Sequence, residues 1–160
     1  MKKLISYVVV FLGVIGIFQY IFFLGYIPSE SMEPTLNTGD LVVGTRFNVE
    51  DVQRYDVAVF KYPDDESRYF IKRVIGLPGE YIDIRNGVVY ANGVELEASF
   101  IKELSNETVS YHVPEDSYFM LGDNRNASLD SRYWENTYVH SDQMVAIAQF
   151  RLFPLFPKGL

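Results

Sequence analysis

The sequence predicts a mainly β chain, in which one N-terminal transmembrane helix precedes an antiparallel β-sheet domain with a small β insert. Three observations lead to this fold class. Residues 4–27 carry no charge, and two Asn-Gly pairs separate short β-branched runs further along the chain. No segment after residue 30 shows an extended helical periodicity of apolar residues.

The apolar run at residues 4–27 is long enough to cross a bilayer. Its 24 residues would span roughly 36 Å as a helix, against a hydrocarbon core of about 30 Å. Lys2 and Lys3 precede the run, so the positive-inside rule predicts a cytoplasmic N-terminus and an exported remainder. A cleavable signal peptide is the alternative, but its apolar core is usually shorter and ends in small residues. We therefore expect residues 1–27 to be a retained anchor and residues 28–160 to be an extracytoplasmic domain.

The exported part contains several short segments typical of strands. Strands are expected at residues 41–43, 55–62 and 69–75, with a polar turn at residues 64–67. The last apolar stretch, residues 139–153, is followed by two prolines. Residues 80–113 contain both Asn-Gly pairs, at 86–87 and 92–93, which indicate hairpins.

Composition narrows the possible functions. The chain has no cysteine, which excludes disulfides and thiolate chemistry, and its two histidines are too far apart in sequence to form a ligand-spaced pair. We therefore expect neither a metal site nor a cofactor. Residues 28–160 hold 12 of the 14 basic residues and all 21 acidic ones, a formal charge of −9 that argues against nucleic acid as a partner.

A proline-bracketed segment, PSESMEPTL at residues 28–36, follows the apolar run directly. Proline restricts the backbone, so a serine between two prolines is held in position, as a nucleophile must be. A stiff linker leaving the membrane is the plainer interpretation. The nucleophile hypothesis for Ser31 therefore requires a base elsewhere in the chain.

Lys72 is the candidate base. In a strand at residues 69–75, Lys72 shares one face with Phe70 and Val74. Burial on an apolar face lowers the pKa of a lysine, and a neutral amine can accept the proton of a serine hydroxyl. The plainer alternative is that Lys72 extends to the edge of the sheet and keeps its charge in water.

A third segment, GDNRNASLDSRYW at residues 122–134, places many hydrogen-bonding side chains between apolar and aromatic neighbours. Such a loop can form a rigid polar network. A turn-rich surface loop is the alternative.

Together these segments resemble the bacterial type I signal peptidases, which are membrane-anchored Ser-Lys endopeptidases. The resemblance covers nearly the whole chain and follows the order of the family's motifs. Beyond the anchor, it rests on IPSESMEPT at residues 27–35, GD at 39–40, RYDVAVF at 54–60, IKRVIGLPG at 71–79, and GDN to Arg132 from residue 122. The single anchor and the short middle region are similar to the compact members.

The resemblance implies a role for each matching residue. Ser31 corresponds to the nucleophile and Lys72 to the general base, while Ser29 and the Ser31 amide correspond to the oxyanion hole. Ser128 corresponds to the serine that orients the lysine. The supporting charge network corresponds to Arg73, Asp123, Asp130 and Arg132, in which the resemblance implies that Asp130 pairs with Arg73. The family often has Asp-Asn where this chain has Asn126-Ala127, so part of the loop's hydrogen bonding is expected to differ.

The resemblance also implies the substrate. A secretory preprotein would present small side chains at the first and third residues before the cut, as in A-x-A-like sites, to shallow apolar pockets. The residues expected to form these pockets are Ile27, Pro28, Leu36, Phe70 and Ile71. The expected partners are therefore signal peptides and the lipid bilayer.

Three other functions remain open from the sequence. A self-cleaving Ser-Lys repressor would need a DNA-binding domain, whereas this chain has an anchor. A Ser-His-Asp hydrolase would use His112 or His140, but no strand-turn-helix elbow surrounds either of the two serines in the proline-bracketed segment. A catalytically inactive anchored domain that binds signal peptides is the third.

Overall fold

The computed structural model describes residues 2–152 of the chain. Helix α1, Lys2–Ile21, is apolar from residue 4 onward, and the side chains of residues 3–20 are exposed rather than packed on the sheets. Residues Lys3–Ile21 are long and apolar enough to cross a membrane, which a signal sequence would also be. The helix is therefore compatible with an anchor.

Eleven strands follow the helix within the described residues. They are β1 (Phe22–Tyr26), β2 (Leu41–Thr45), β3 (Val57–Tyr62), β4 (Asp65–Gly76), β5 (Tyr81–Arg85), β6 (Val88–Ala91), β7 (Val94–Glu95), β8 (Thr108–His112), β9 (Ser117–Leu121), β10 (Val139–His140) and β11 (Met144–Leu152). Short 3₁₀ helices cover Arg125–Ala127 and Ser141–Gln143. The predicted mainly β, antiparallel fold is confirmed.

The larger sheet has seven strands in the order β1-β2-β11-β3-β4-β9-β10. Strand β4 lies between β3 and β9, and its second half is buried because both faces are covered. β9 pairs with β4 only from Arg73 to Gly76, so the preceding part of β4 is paired with β3 alone. The sheet thus leaves a free edge beside residues 69–71.

The smaller sheet, in the order β7-β6-β5-β8, is formed within the segment expected to be an insert. Its two tight turns are the Asn-Gly pairs, in which both residues have positive φ: 49° and 82° at 86–87, and 51° and 82° at 92–93. Asparagine and glycine tolerate this conformation best, and its twist matches that of a hairpin. Ile82 and Ile84 of this sheet pack against Phe119 and Leu121 of the larger one.

Two predicted boundaries are wrong. The helix ends at Ile21 rather than at residue 27, because residues 22–26 pair with β2 as strand β1. Ser31 consequently follows the end of the helix by ten residues, whereas a helix that ended at residue 27 would have placed it only four residues away. The turn expected at residues 64–67 is shorter, because β4 already begins at Asp65. Phe153 and the prolines after it lie outside the described residues.

Candidate active site

The proline-bracketed segment forms a loop that is fixed at both ends. Ile27 donates a backbone hydrogen bond to Asp40, and Gly39 donates one to Ile27. Met32 and Leu36 are buried with Ile27 in an apolar cluster beneath the loop. The loop is therefore held by packing, and the sequence places a buried methionine directly after Ser31.

Ser31 and Lys72 meet in this structure. The Lys72 Nζ donates a hydrogen bond to the Ser31 Oγ at 2.7 Å, and a second one to the carbonyl of Ile71 at 3.1 Å. Each residue is only 5 % exposed. The amine also lies 5.4 Å from the centroid of the Phe70 ring, on the strand face predicted for it. A buried amine in contact with a serine hydroxyl is able to accept its proton.

Burial lowers the pKa of Lys72 to about 8. The carboxylates of Asp130 and Asp123 act in the opposite direction, but they do not outweigh the loss of hydration. Neither carboxylate forms an ion pair with Lys72, since Asp123 and Asp130 are paired with arginines. The amine is therefore neutral in a substantial fraction of molecules at mildly alkaline pH.

Ser29 lies beside Ser31, with its Oγ 3.4 Å from the Ser31 Oγ. Its side chain is exposed, which leaves the hydroxyl free to turn toward a ligand. Among the described residues, no hydrogen bond uses the Ser31 amide. These two donors flank the hydroxyl that would attack a carbonyl.

Ser128 is buried, but it does not hydrogen-bond to Lys72 in this structure. Its Oγ has no hydrogen-bond partner among the described residues. The residue packs against Gly122, where a Cβ atom would lie only 2.2 Å from the Ser128 Oγ. The glycine is therefore required for the close approach of Ser128, whose predicted role as the lysine's orienting partner stays a prediction.

Arg73, the neighbour of Lys72 on β4, points to the opposite face and is fully paired. Its Nε and Nη2 donate to the two carboxylate oxygens of Asp123 at 2.8 and 2.6 Å. The Nη2 also donates to Thr35, and the Nη1 donates to the carbonyl of Tyr55. Because Thr35 lies in the proline-bracketed loop, these contacts join three segments of the chain around one buried ion pair.

The expected pairing of Arg73 with Asp130 is therefore wrong. Asp130 instead accepts from Arg132 through the Nε at 2.8 Å and through the Nη2 at 2.9 Å, and from the amide of Gly122. Arg132 continues to Glu107 and to the carbonyl of Arg125. Asp130 thus closes its own loop, whereas Asp123 connects that loop to β4.

Sequence analysis overlooked three members of this network: Thr35, Glu107 and Arg125. Glu107 lies half-buried in the segment before β8, and no pattern in the sequence marked it as a partner of the loop. Thr35 stands within the recognised motif, where its hydroxyl was the available signal. Arg125 is buried and donates from its Nε to the carbonyl of Gly122; burial lowers its pKa to about 10.

The histidines lie outside this site. The Nδ1 of His140 is 2.8 Å from Asp142, and His112 stacks on Tyr81 with ring centroids 4.4 Å apart. Neither forms a hydrogen bond with Ser31, whose side-chain partners are Lys72 and Ser29. Among the described residues, no group of three His, Asp or Glu side chains is arranged to hold a metal.

An open cleft of about 490 Å³ lies beside the Ser31–Lys72 pair. Three of the residues predicted to contact substrate, Pro28, Phe70 and Ile71, form apolar parts of the cleft wall. The other two predicted contacts, Ile27 and Leu36, do not line the cleft, because they are buried in the cluster beneath the loop. Ala127 and Leu129 of the polar loop also line the cleft.

Comparison with known proteins gives a consistent result. The model of the family described as "Signal peptidase, peptidase S26" matches residues 1–153. The probable signal peptidase I-2 of a Synechocystis species is 37 % identical over 91 % of this chain and 70 % of its own length. A signal peptidase I of Leptolyngbya laminosa is 36 % identical over 91 % of this chain and 75 % of its own.

A solved structure agrees with these relatives. The crystal structure of a signal peptidase I from Enterococcus faecalis V583 is 31 % identical and superimposes with a TM-score of 0.53. The match covers 61 % of this chain and 96 % of that one. Fold, site and relatives thus lead to one assignment: the chain belongs to the signal peptidase family, peptidase S26.

Proposed function

We propose that this protein is a membrane-bound serine endopeptidase that removes signal peptides from secreted preproteins by means of a Ser31–Lys72 dyad. The observation that carries the proposal is the 2.7 Å hydrogen bond between the Lys72 Nζ and the Ser31 Oγ, at a buried position that opens onto a cleft. A charged surface lysine would need neither the burial nor the lowered pKa.

Acylation begins at the Ser31 hydroxyl. The neutral Lys72 amine takes its proton while the Oγ bonds to the carbonyl carbon of the scissile peptide. The negative charge that develops on the carbonyl oxygen is stabilised by hydrogen bonds from the Ser31 amide and the Ser29 hydroxyl. Lys72 then gives its proton to the leaving amine, the peptide C–N bond breaks, and the acyl group remains on Ser31.

Deacylation repeats these steps with water. Lys72 takes a proton from a water molecule as its oxygen attacks the ester, and returns the proton to the Ser31 Oγ as the ester bond breaks. The products are the free signal peptide, with a new carboxylate, and the mature protein, with a new amine. The Ser128 hydroxyl is available to hold the lysine during these transfers, because it is buried and has no partner among the described residues.

The substrate is read as an extended strand. The edge of β4 beside residues 69–71 is unpaired by β9, so a peptide can add there through main-chain hydrogen bonds. Pro28, Phe70 and Ile71 make the neighbouring wall apolar, which suits small side chains at the first and third residues before the cut. Ile27 and Leu36 support this wall from beneath.

In this proposal, residues 1–27 comprise the cytoplasmic N-terminus and the anchor, with the membrane-spanning part confined to the helix. Residues 28–160 form an extracytoplasmic peptidase domain, and residues 80–113 form a small insert within it. The active site then lies on the side of the membrane where signal peptides emerge. Lys2 and Lys3 support this orientation through the positive-inside rule.

Cleavage of a preprotein in detergent tests the proposed activity. The wild-type protein should release a mature protein whose new N-terminus follows an A-x-A-like site, and Lys72→Ala should release none. A well-folded wild-type protein that leaves several preproteins intact would contradict the enzymatic function and favour a binding role.

Orientation requires a separate experiment. Protease added outside intact cells should digest the residues beyond β1 and leave the N-terminal lysines protected. Protection of the β-sheet domain would reverse the topology and remove the argument for this substrate class.

A further inference from the structure

The cleft contains a second cation, Arg68, which the proposed mechanism does not use. Among the described residues that line the cleft, only Lys72 and Arg68 are basic. Arg68 is exposed, and no carboxylate among the described residues lies within ion-pair distance of it, although its charge interacts at longer range with that of Asp65. An unpaired guanidinium at the rim of a peptide-binding cleft is available to the peptide.

An aromatic platform holds this guanidinium in place. The rings of Tyr62 and Phe70 stack with centroids 4.3 Å apart and an interplanar angle of 2°. The Arg68 Cζ lies 5.3 Å from the Phe70 centroid and 5.7 Å from the Tyr62 centroid. Trp134 packs edge-on against both rings. Cation–π contact with a buried stack restricts the arginine, so an ionic contact with a ligand costs less conformational entropy.

The distance from Arg68 to the dyad corresponds to a few residues of substrate. The Lys72 Nζ lies 5.4 Å from the same Phe70 centroid, which limits the separation of the two cationic groups to about 11 Å. An extended peptide advances about 3.3 Å per residue. The upper bound on the separation corresponds to about three residues, and the length of a side chain adds reach, so Arg68 can contact side chains up to about the fourth residue from the scissile bond.

The helix identifies which side of the scissile bond this is. Tyr69, next to Arg68, lies 6.3 Å from the ring of Phe23, which follows α1 almost directly. Tyr69 also shares a cavity with Gln19 and Tyr20 at the end of the helix. The Arg68 end of the cleft thus faces the membrane, and residues that precede the cut must pass it.

We infer that Arg68 makes the cleft selective for charge, favouring an acidic and disfavouring a basic side chain at the fourth residue before the scissile bond, one residue beyond the small side chains of the A-x-A-like site. This inference rests on the proposed function, since it assumes that a signal peptide occupies the cleft. The exported part carries a formal charge of −9, so its general field repels an acidic segment. Arg68 provides the local exception at this position.

The test uses three model preproteins that differ only at the fourth residue before the cut, which is Asp, Asn or Lys. The full-length protein in neutral detergent should cleave the Asp substrate with a kcat/KM about fivefold above that of the Lys substrate, as expected for an exposed charge pair. Arg68→Gln should bring this ratio close to one, and Arg68→Glu should invert it. The wild-type preference should decline in 1 M NaCl because salt screens exposed charges.

Lys61→Gln and Lys61→Glu are the matched controls. Lys61 is a half-exposed cation on β3 that does not line the cleft, so these variants change net charge equally and should keep the wild-type ratio. If Arg68→Glu left the ratio of kcat/KM for the Asp and Lys substrates unchanged, or if Lys61→Glu changed it equally, the charge selectivity of Arg68 would be overturned. The proposed function would be unaffected by that result. Failure of the wild-type protein to cleave the Asn substrate would overturn the proposed function as well.

Discussion

The two faces of β4 treat two consecutive cations differently. Lys72 and Arg73 are both buried, but Arg73 has a bidentate carboxylate partner in Asp123, and Lys72 has none. On the face that carries Arg73, the hydrogen bonds of its guanidinium to Asp123, Thr35 and Tyr55 join three segments of the chain. On the face that carries Lys72, burial lowers the pKa of the amine to about 8, which suits the role of base proposed for it. A buried cation thus becomes structural or reactive according to whether a carboxylate accompanies it.

Removing the reactive face should have the largest effect. Ser31→Ala and Lys72→Met should each reduce kcat/KM for a preprotein by about 10⁴-fold or more, because neither half of a dyad works alone. Single-turnover cleavage in detergent measures the loss, and circular dichroism checks the fold. If Lys72→Met retained a tenth of the activity, the base would have to be another group.

Removing the counter-ion of the structural face should cost stability. Asp123→Ala leaves the Arg73 guanidinium buried and unpaired, which is expected to lower the free energy of unfolding by about 3–5 kcal/mol. The control is Asp83→Ala, which removes a carboxylate from the more exposed pair with Arg85 and should cost less than about 1 kcal/mol. Denaturant melts compare the free energies of unfolding of the two variants. Equal losses would show that the buried Arg73–Asp123 pair stabilises the fold no more than an exposed pair does.

Burial of Lys72 should lower the stability of the fold by an amount that depends on pH. Folding lowers the pKa of Lys72 from its ordinary value of 10.5 to about 8, so the folded protein binds this proton more weakly than the unfolded chain. The penalty, about 3 kcal/mol, is complete below pH 8 and fades as the pH rises to about 10.5. Lys72→Met should therefore be more stable than wild type at pH 7, with the gain vanishing at alkaline pH. A difference in stability that is constant with pH would argue that the lysine is charged and hydrated.

Supplying the reactive face with a carboxylate would abolish the difference between the two faces. Wild-type activity should rise about tenfold per pH unit up to a pH near 8, as the neutral fraction of Lys72 increases. Ala127→Asp places a carboxylate on the wall of the same cleft, which should raise the pKa of Lys72 and reduce activity at pH 7 by about threefold to tenfold. Ala127→Asn is the neutral control, and it should leave the ascending limb of the pH profile where wild type has it.

The histidines should show the smallest effect. His112→Ala and His140→Ala remove groups that contact Tyr81 and Asp142, far from the chemistry of either face. Each variant should retain activity within about twofold of wild type, since an exposed substitution outside the site has little effect. A histidine variant as inactive as Ser31→Ala would favour a Ser-His-Asp mechanism instead.

Local rules account for the parts of the fold that were predictable. The Asn-Gly turns require positive φ at two consecutive residues, and Asn-Gly is the dipeptide that adopts this conformation most readily. The alternation along β4 likewise placed Lys72 beside Phe70 and Arg73 on the opposite face.

The parts that depend on pairing were not predictable. Phe22, Phe23 and Leu24 suit a bilayer and a strand equally well, and only their pairing with β2 decides between the two. The partner of Arg73 posed the same difficulty, because Asp123 and Asp130 belong to one loop and the path of that loop selects between them. The contact between Ser128 and Gly122 could not be predicted for the same reason, because it too depends on the path of the loop.

The direct passage from α1 into β1 has a mechanical consequence. The helix ends at Ile21 and the strand begins at Phe22, and the backbone of Arg46 hydrogen-bonds to the carbonyl of Ile21 at the junction. With no flexible tether between them, a change in the tilt of the helix is transmitted to the sheet. Helices tilt to match the thickness of the bilayer. In the topology proposed above, the height and inclination of Ser31 relative to the lipid would therefore follow the thickness of the membrane.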